Sequence, residues 1–218
     1  MNPITPDELK VILDKHVNWL GNEEGGQQAN LNAANLEGVN LIGANLEKAD
    51  LTNANLRDAK LTAANLKIAI LTDANLENAD LTNANLEGTF LDNAILTRAD
   101  LTKCSLVYTS LQNADLSGAI LKNALIHYAN LTEANLTNAD LTRAHINKAN
   151  LLNANLEKAD LTGAAIYSAN FKGANLRGAN FKGAYLRNVI LSDANLEGTN
   201  INDASLKKLK AIGRKNQK

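Results

Sequence analysis

The sequence predicts a repeat solenoid, a chain that turns once every five residues around one continuous apolar core. Three observations carry this prediction. Leucine recurs with an unbroken period of five, a column of small residues runs two places before it, and charge patterns return at a spacing of twenty.

The leucine column comes first. Leu31, Leu36, Leu41, Leu46 and Leu51 open a series that reaches Leu206 without a slip, 36 positions of which 30 are Leu. The others are Ile126, Ile146, Ile166, Phe171, Phe181 and Ile201. Two residues earlier, 30 of 36 positions are Ala; Val39, Thr89, Cys104, Thr109, Val189 and Thr199 are the exceptions. Asn or Asp stands between the columns at 23 positions. No regular element fits this period. On a helix, five residues overshoot a full turn by about 140°, so the leucines would wander round the axis. On a strand, an odd period sends alternate leucines to opposite faces. The chain must therefore turn once per repeat. Two residues after each Leu, Gly or Asn fills 18 of 36 positions. These residue types accept the positive φ at the third position of a type II turn.

The A-(N/D)-L-x-x pattern resembles the pentapeptide-repeat family over residues 29–206. The resemblance implies an all-β solenoid, a right-handed quadrilateral β-helix with four pentapeptides per coil. Thirty-six repeats then make nine coils, a tower roughly 40 Å tall at the ~4.8 Å spacing of paired strands. Its four faces are named A, B, C and D here, centred on Leu31, Leu36, Leu41 and Leu46 and continuing every 20 residues.

Charge supports the twenty-residue coil without the family. After Leu, face B reads Glu37, Arg57, Glu77 and later Glu157, Arg177, Glu197; face D reads Glu47, Lys67, Glu87. Opposite charges one rung apart attract by a few tenths of a kcal/mol, and like charges would repel. Ile126, Ile146 and Ile166 also stack at this spacing, in the core of face D.

A solenoid needs caps over its raw ends. Residues 1–28 read as a capping helix and linker. Thr5 and Glu8 form a capping box with Pro6 at the first helical position. Leu9, Ile12, Leu13, His16 and Leu20 follow at helical spacing beside Trp19, and Gly21 is the stop. His16 is expected to be a packed cap residue. Ser205 to Ile212 is expected to form a short second helix. Residues 207–218 are a basic tail with six bases and no acid.

Function in a solenoid lies where the repeat is interrupted. All four tyrosines fall on face D: Tyr108, Tyr128, Tyr167 and Tyr185. Ile68, Val107 and Leu125 also point outward there, and Ile70 and Phe90 adjoin on the A side. His127 and His145 lie on the same face. Together these residues form the expected protein-interaction surface, since a contiguous apolar and aromatic strip marks contact sites and tyrosine is favoured in them. The competing reading is that the tyrosines only shield the backbone of that wall. Face D has only Gly88 and Asn188 as Gly or Asn at its nine turn positions, so its turns are expected to differ from the others. Residues 169–188 carry Lys172, Arg177, Lys182 and Arg187, one per face, and no acid. This basic collar is a candidate dimer or anion contact. Phe171 and Phe181 lie inside it and are expected to reshape the core locally.

Composition and motifs exclude most chemistry. The net charge of −1 from 22 bases and 23 acids argues against direct nucleic-acid binding. One Cys rules out disulfide frameworks and Cys-based zinc sites, and Cys104 sits in the inward Ala column as a small apolar residue. Nothing resembles a membrane span, a signal peptide, a phosphate loop or a nucleophile elbow. The expectation is a cytoplasmic, non-enzymatic interaction protein without metal or cofactor, a monomer or an end-to-end homodimer, binding an unknown protein. The alternative comes from the resemblance: some members of the family are similar to duplex DNA and act on DNA gyrase or topoisomerase IV. Those tend to be acidic rods paired end to end, whereas this chain has a basic collar and tail. Ice binding by the face C threonines is opposed by Lys122 and by the neighbouring Lys60, Asp80, Asp100, Asp140 and Asp160.

Overall fold

The computed structural model describes residues 4–201. One helix, α1 (Pro6–Leu20), precedes a β-solenoid. Parallel bridges join residues twenty apart, from Asn30↔Asp50 to Asn175↔Asn195, so each coil holds four pentapeptides. Residues 29–188 make eight complete coils, and the described residues enter a ninth. Three short parallel strands pair in the order β1 (His145–Asn147), β2 (Ala165–Tyr167) and β3 (Tyr185–Arg187).

The repeat works because it places nearly every main-chain N–H. For the coil at Leu51, Leu51 N–H donates to Ile70 O at 2.7 Å, Asn53 N–H to Thr72 O at 3.0 Å, and Asp50 N–H back to Ala29 O at 3.0 Å. Ala54 N–H closes the turn onto Leu51 O at 3.0 Å. The remaining N–H, that of Thr52, donates to the Asp50 carboxylate at 3.0 Å. This is the task of the Asn/Asp column: a local side-chain acceptor for the one amide that the ladder leaves out. The residue after next takes φ near +57°, as at Asn53 and Asp58.

The Leu and Ala columns fill the interior with exposures of 0–2% through the middle coils, each Leu contributing about 2 kcal/mol of burial. Thr89 and Thr109 are buried among them, and each satisfies its hydroxyl on a carbonyl, Leu66 O at 2.8 Å and Leu86 O at 2.7 Å. Phe171 and Phe181 are both buried. Above them Phe181 N–H donates to the Asn200 side chain at 2.5 Å instead of to a main-chain carbonyl. Leu186, Leu191, Leu196 and Ile201 are only partly buried.

At the other end, α1 begins with the capping box: Glu8 N–H donates to Thr5 Oγ1 at 3.2 Å and Thr5 N–H to the Glu8 carboxylate at 2.9 Å. Leu9 and His16 are buried, and Ile12 and Leu13 pack on the core. Leu20 is half-buried without joining that cluster. His16 ties cap to coil: its Nδ1 accepts the Ala29 N–H at 3.0 Å, and its ring stacks on Trp19. Gly26 crosses the helix so closely that a Cβ there would lie 2.6 Å from Trp19 Cα. Among the described residues no helix is long and apolar enough to cross a membrane. The expected second helix and the basic tail lie outside the described residues.

Candidate interaction wall

Face D is built from two kinds of rung. At Leu46, Leu66, Leu86 and Leu106 the turn closes with its hydrogen bond, at 2.9 to 3.3 Å. The rungs centred on Ile126, Ile146, Ile166 and Leu186 lack that bond, and the last three stay extended as β1, β2 and β3. The expectation that face D turns differently therefore holds only in its C-terminal part. It must be corrected at Tyr108 and Ile68, whose φ of 58° and 57° match the other faces. Gly and Asn content was the wrong signal. Leu125, His145, Ala165 and Tyr185 replace Asn or Asp before the core residue in four consecutive rungs, but Ile70, Phe90 and Ile95 do the same on other faces, where the turns close at 3.0 to 3.1 Å, so that column does not mark open turns either.

The tyrosines fall into two groups. Tyr108 and Tyr128 occupy the same column one rung apart, their ring centroids 5.0 Å apart and their planes at 19°. They are 61% and 45% exposed. Lys148 completes the column: its ammonium donates to the Tyr128 hydroxyl at 3.1 Å and lies 5.0 Å from the ring centroid. That contact raises the lysine pKa, so the corner keeps a fixed positive charge. Tyr167 and Tyr185 are exposed further along the face, in different columns, and neither stacks on another aromatic ring among the described residues.

Around the corner, Ile70 bridges Phe90 directly, and Ile68, Ile70 and Phe90 are all exposed. Gly88 separates Ile68 from Tyr108 in their column and leaves a step there, with Ile68 Cγ1 the nearest side-chain atom. Val107 is half-buried and Leu125 exposed. His127 and His145 meet edge to face, centroids 6.1 Å apart at 70°. Burial, with the His145 charge added, lowers the His127 pKa. Among the described residues no three His, Cys, Asp or Glu side chains gather as metal ligands would.

The charge ladders form in part. Lys67 reaches Glu87 at 3.1 Å and Arg57 reaches Glu77 at 3.9 Å. Glu37 instead accepts from Asn55 at 3.3 Å. Arg177 lies between Glu157 and Glu197, at 3.6 and 3.8 Å. It is therefore neutralised by its neighbours, and the exposed collar reduces to Lys172, Lys182 and Arg187, which make no ion pair among the described residues.

Comparison with known proteins follows the same geometry. The model of the pentapeptide repeats matches residues 29–67, 61–98, 94–127, 124–163 and 167–207, with eight copies. Among solved structures the chain is similar to QnrB1, described as a plasmid-mediated fluoroquinolone resistance protein, at 17% identity and a TM-score of 0.54, covering 86% of this chain and 98% of that one. It is also similar to HetL, a pentapeptide repeat protein involved in heterocyst differentiation regulation from the cyanobacterium Nostoc sp. strain PCC 7120. That match has 32% identity over 86% of this chain and 95% of that one, with a TM-score of 0.27. A search of curated proteins gives no match.

Proposed function

This chain belongs to the pentapeptide-repeat family, and on that premise we propose that it is a non-enzymatic scaffold that binds a partner protein through the corner between faces D and A. The observation that carries the reading is the exposed Tyr108–Tyr128 stack, continued by Phe90, Ile70 and Ile68 along neighbouring rungs. The coil itself does not require apolar side chains at these positions. Their columns on other rungs hold Lys48, Asp50 and Asn130, and the coil forms equally well around those. Two stacked rings present a large, stiff surface whose burial costs little side-chain entropy, which is what binding hot spots use. Lys148 at the end of the stack adds a charge for orientation. Tyr167, Tyr185, Leu125, His127 and His145 extend the surface along face D.

The test compares the wild type with Tyr108→Ser/Tyr128→Ser as bait in native lysate, with circular dichroism showing that both fold. The captured protein is then purified and titrated against both. An affinity at least tenfold weaker for the variant is expected. Equal affinities would mean that the tyrosines only shield the wall.

A further inference from the structure

The wall around the stacked tyrosines carries one sign of charge. Across the five rungs centred on Leu106, Ile126, Ile146, Ile166 and Leu186, face D and the corner residues at its two edges present 20 outward positions, and none is Asp or Glu. Four are bases: Lys103 and Arg143 at the corner with face C, Lys148 at the corner with face A, and Arg187 within the wall. All four tyrosines lie in the same panel. The five acids of residues 103–188, Asp115, Glu133, Asp140, Glu157 and Asp160, belong to the other three faces. Lower on face D the charges cancel, with Lys48 on Glu47 at 3.5 Å and Lys67 on Glu87 at 3.1 Å.

The bases of the panel are available to a partner. Lys103, Arg143, Lys148 and Arg187 are exposed and make no ion pair among the described residues. The stack adds a donor of its own: the Tyr128 hydroxyl accepts from Lys148 at 3.1 Å, which leaves its proton to donate outward. The ring of Tyr128 is covered by Tyr108 from the rung below and by Lys148 from the rung above. It therefore offers its edge, the positive side of the aromatic quadrupole, and not the open face on which a nucleic-acid base would stack. Cations, outward donors and ring edges without an acid complement carboxylates.

We propose that the occupant of this wall is an acidic segment of a partner protein, its carboxylates on Arg143, Lys148 and Arg187 and its apolar side chains over the tyrosine stack and Leu125. This assignment rests on protein binding at the D–A corner and extends that contact across face D.

Fluorescence anisotropy with the full chain and three labelled probes tests it: a peptide of four Glu-Leu-Asp-Gly repeats, the same peptide with Lys at every acid, and a 16-nucleotide oligothymidylate. In ~20 mM salt the acidic peptide should bind saturably and at least tenfold more tightly than the other two, and ~300 mM salt should weaken it. Arg143→Glu/Lys148→Glu should weaken it at least tenfold. Lys60→Glu/Lys158→Glu changes the net charge equally but on faces C and B, and should leave the affinity within twofold. Circular dichroism checks that both variants fold. An acidic peptide that does not bind overturns the proposal, as does an equal loss in both charge variants. Tighter binding of the oligothymidylate overturns it in favour of nucleic acid. The corner is decided separately with the purified captured protein: a loss in Tyr108→Ser/Tyr128→Ser beside an unchanged affinity in Arg143→Glu/Lys148→Glu keeps the corner and removes the acidic partner.

Discussion

Tyr108 and Tyr128, twenty residues apart in sequence, lie face to face with ring centroids 5.0 Å apart. Both sit at φ near +60°, a conformation that costs a bulky L-residue about 1 kcal/mol and glycine nothing. The stack is therefore held at the expense of local backbone energy. Replacing Tyr108 by Gly should cost less stability than replacing it by Ser, by about 1 kcal/mol. A double-mutant cycle between the two tyrosines should give a coupling of about 0.5–1 kcal/mol. Urea denaturation measures both, and a zero coupling would remove the stack as an energetic unit.

The side-chain ladder makes a second prediction. Asn155 Oδ1 accepts from Glu157 N–H at 3.2 Å and from Asn175 Nδ2 at 3.0 Å. Asn155→Ala strands both donors and should cost about 1–2 kcal/mol. Asn155→Asp keeps the acceptor and should cost less. The urea midpoints of the two variants check the order.

Cys104 is fully buried, and burial pushes its thiol far above the ordinary range. A thiol reagent at pH 8 should not label the native protein within hours, and labelling should follow global unfolding. Fast native labelling would contradict the inward placement.

His16 gives the cap a pH dependence. Burial lowers its pKa from 6.5, and its Nδ1 is occupied as the acceptor of Ala29 N–H. The folded state thus binds the proton more weakly than the unfolded state. Stability from this group is present above pH 6.5 and is lost as the pH falls through that value toward the lowered one. Urea midpoints between pH 7.5 and 5 should fall on acidification, and His16→Gln should flatten the part due to the cap. His127, also lowered, contributes in the same direction and should remain in that variant.

Gly26→Ala should detach or shift the cap, because the added Cβ meets the backbone of Trp19 and not a side chain that can rotate away. The expected loss is on the order of 2–3 kcal/mol. Hydrogen exchange should speed up at Ala29 and in the first coil, and a variant with unchanged protection there would show that the segment tolerates displacement.

Much of this molecule is legible in its residues because the repeat is local. Each pentapeptide carries its own core residues and turn residue, and 23 of the 36 carry an Asn or Asp acceptor for the next amide. The twenty-residue coil could be read from Glu157, Arg177 and Glu197 before any coordinates, since vertical neighbours leave a trace in charge. The helix start was legible for a similar reason, as Thr5 and Glu8 satisfy each other within one turn. Reading turn types from Gly and Asn failed on face D. The Asn/Asp column does no better, since turns close after Ile70, Phe90 and Ile95 as they do after Asn.

By itself the sequence determined the period and the inward columns, because these depend only on which residue occupies which place in the repeat. Tertiary structure alone decided which outward side chains meet. Tyr108 reaches Tyr128 while Tyr167 and Tyr185 do not join them, although all four share a face. Arg177 is neutralised by acids above and below, while Lys172, Lys182 and Arg187 make no ion pair among the described residues. The reason is physical: main-chain stacking sets the columns, but the contacts within them depend on side-chain rotamers and on the nearest competing partner, and neither is written in the period.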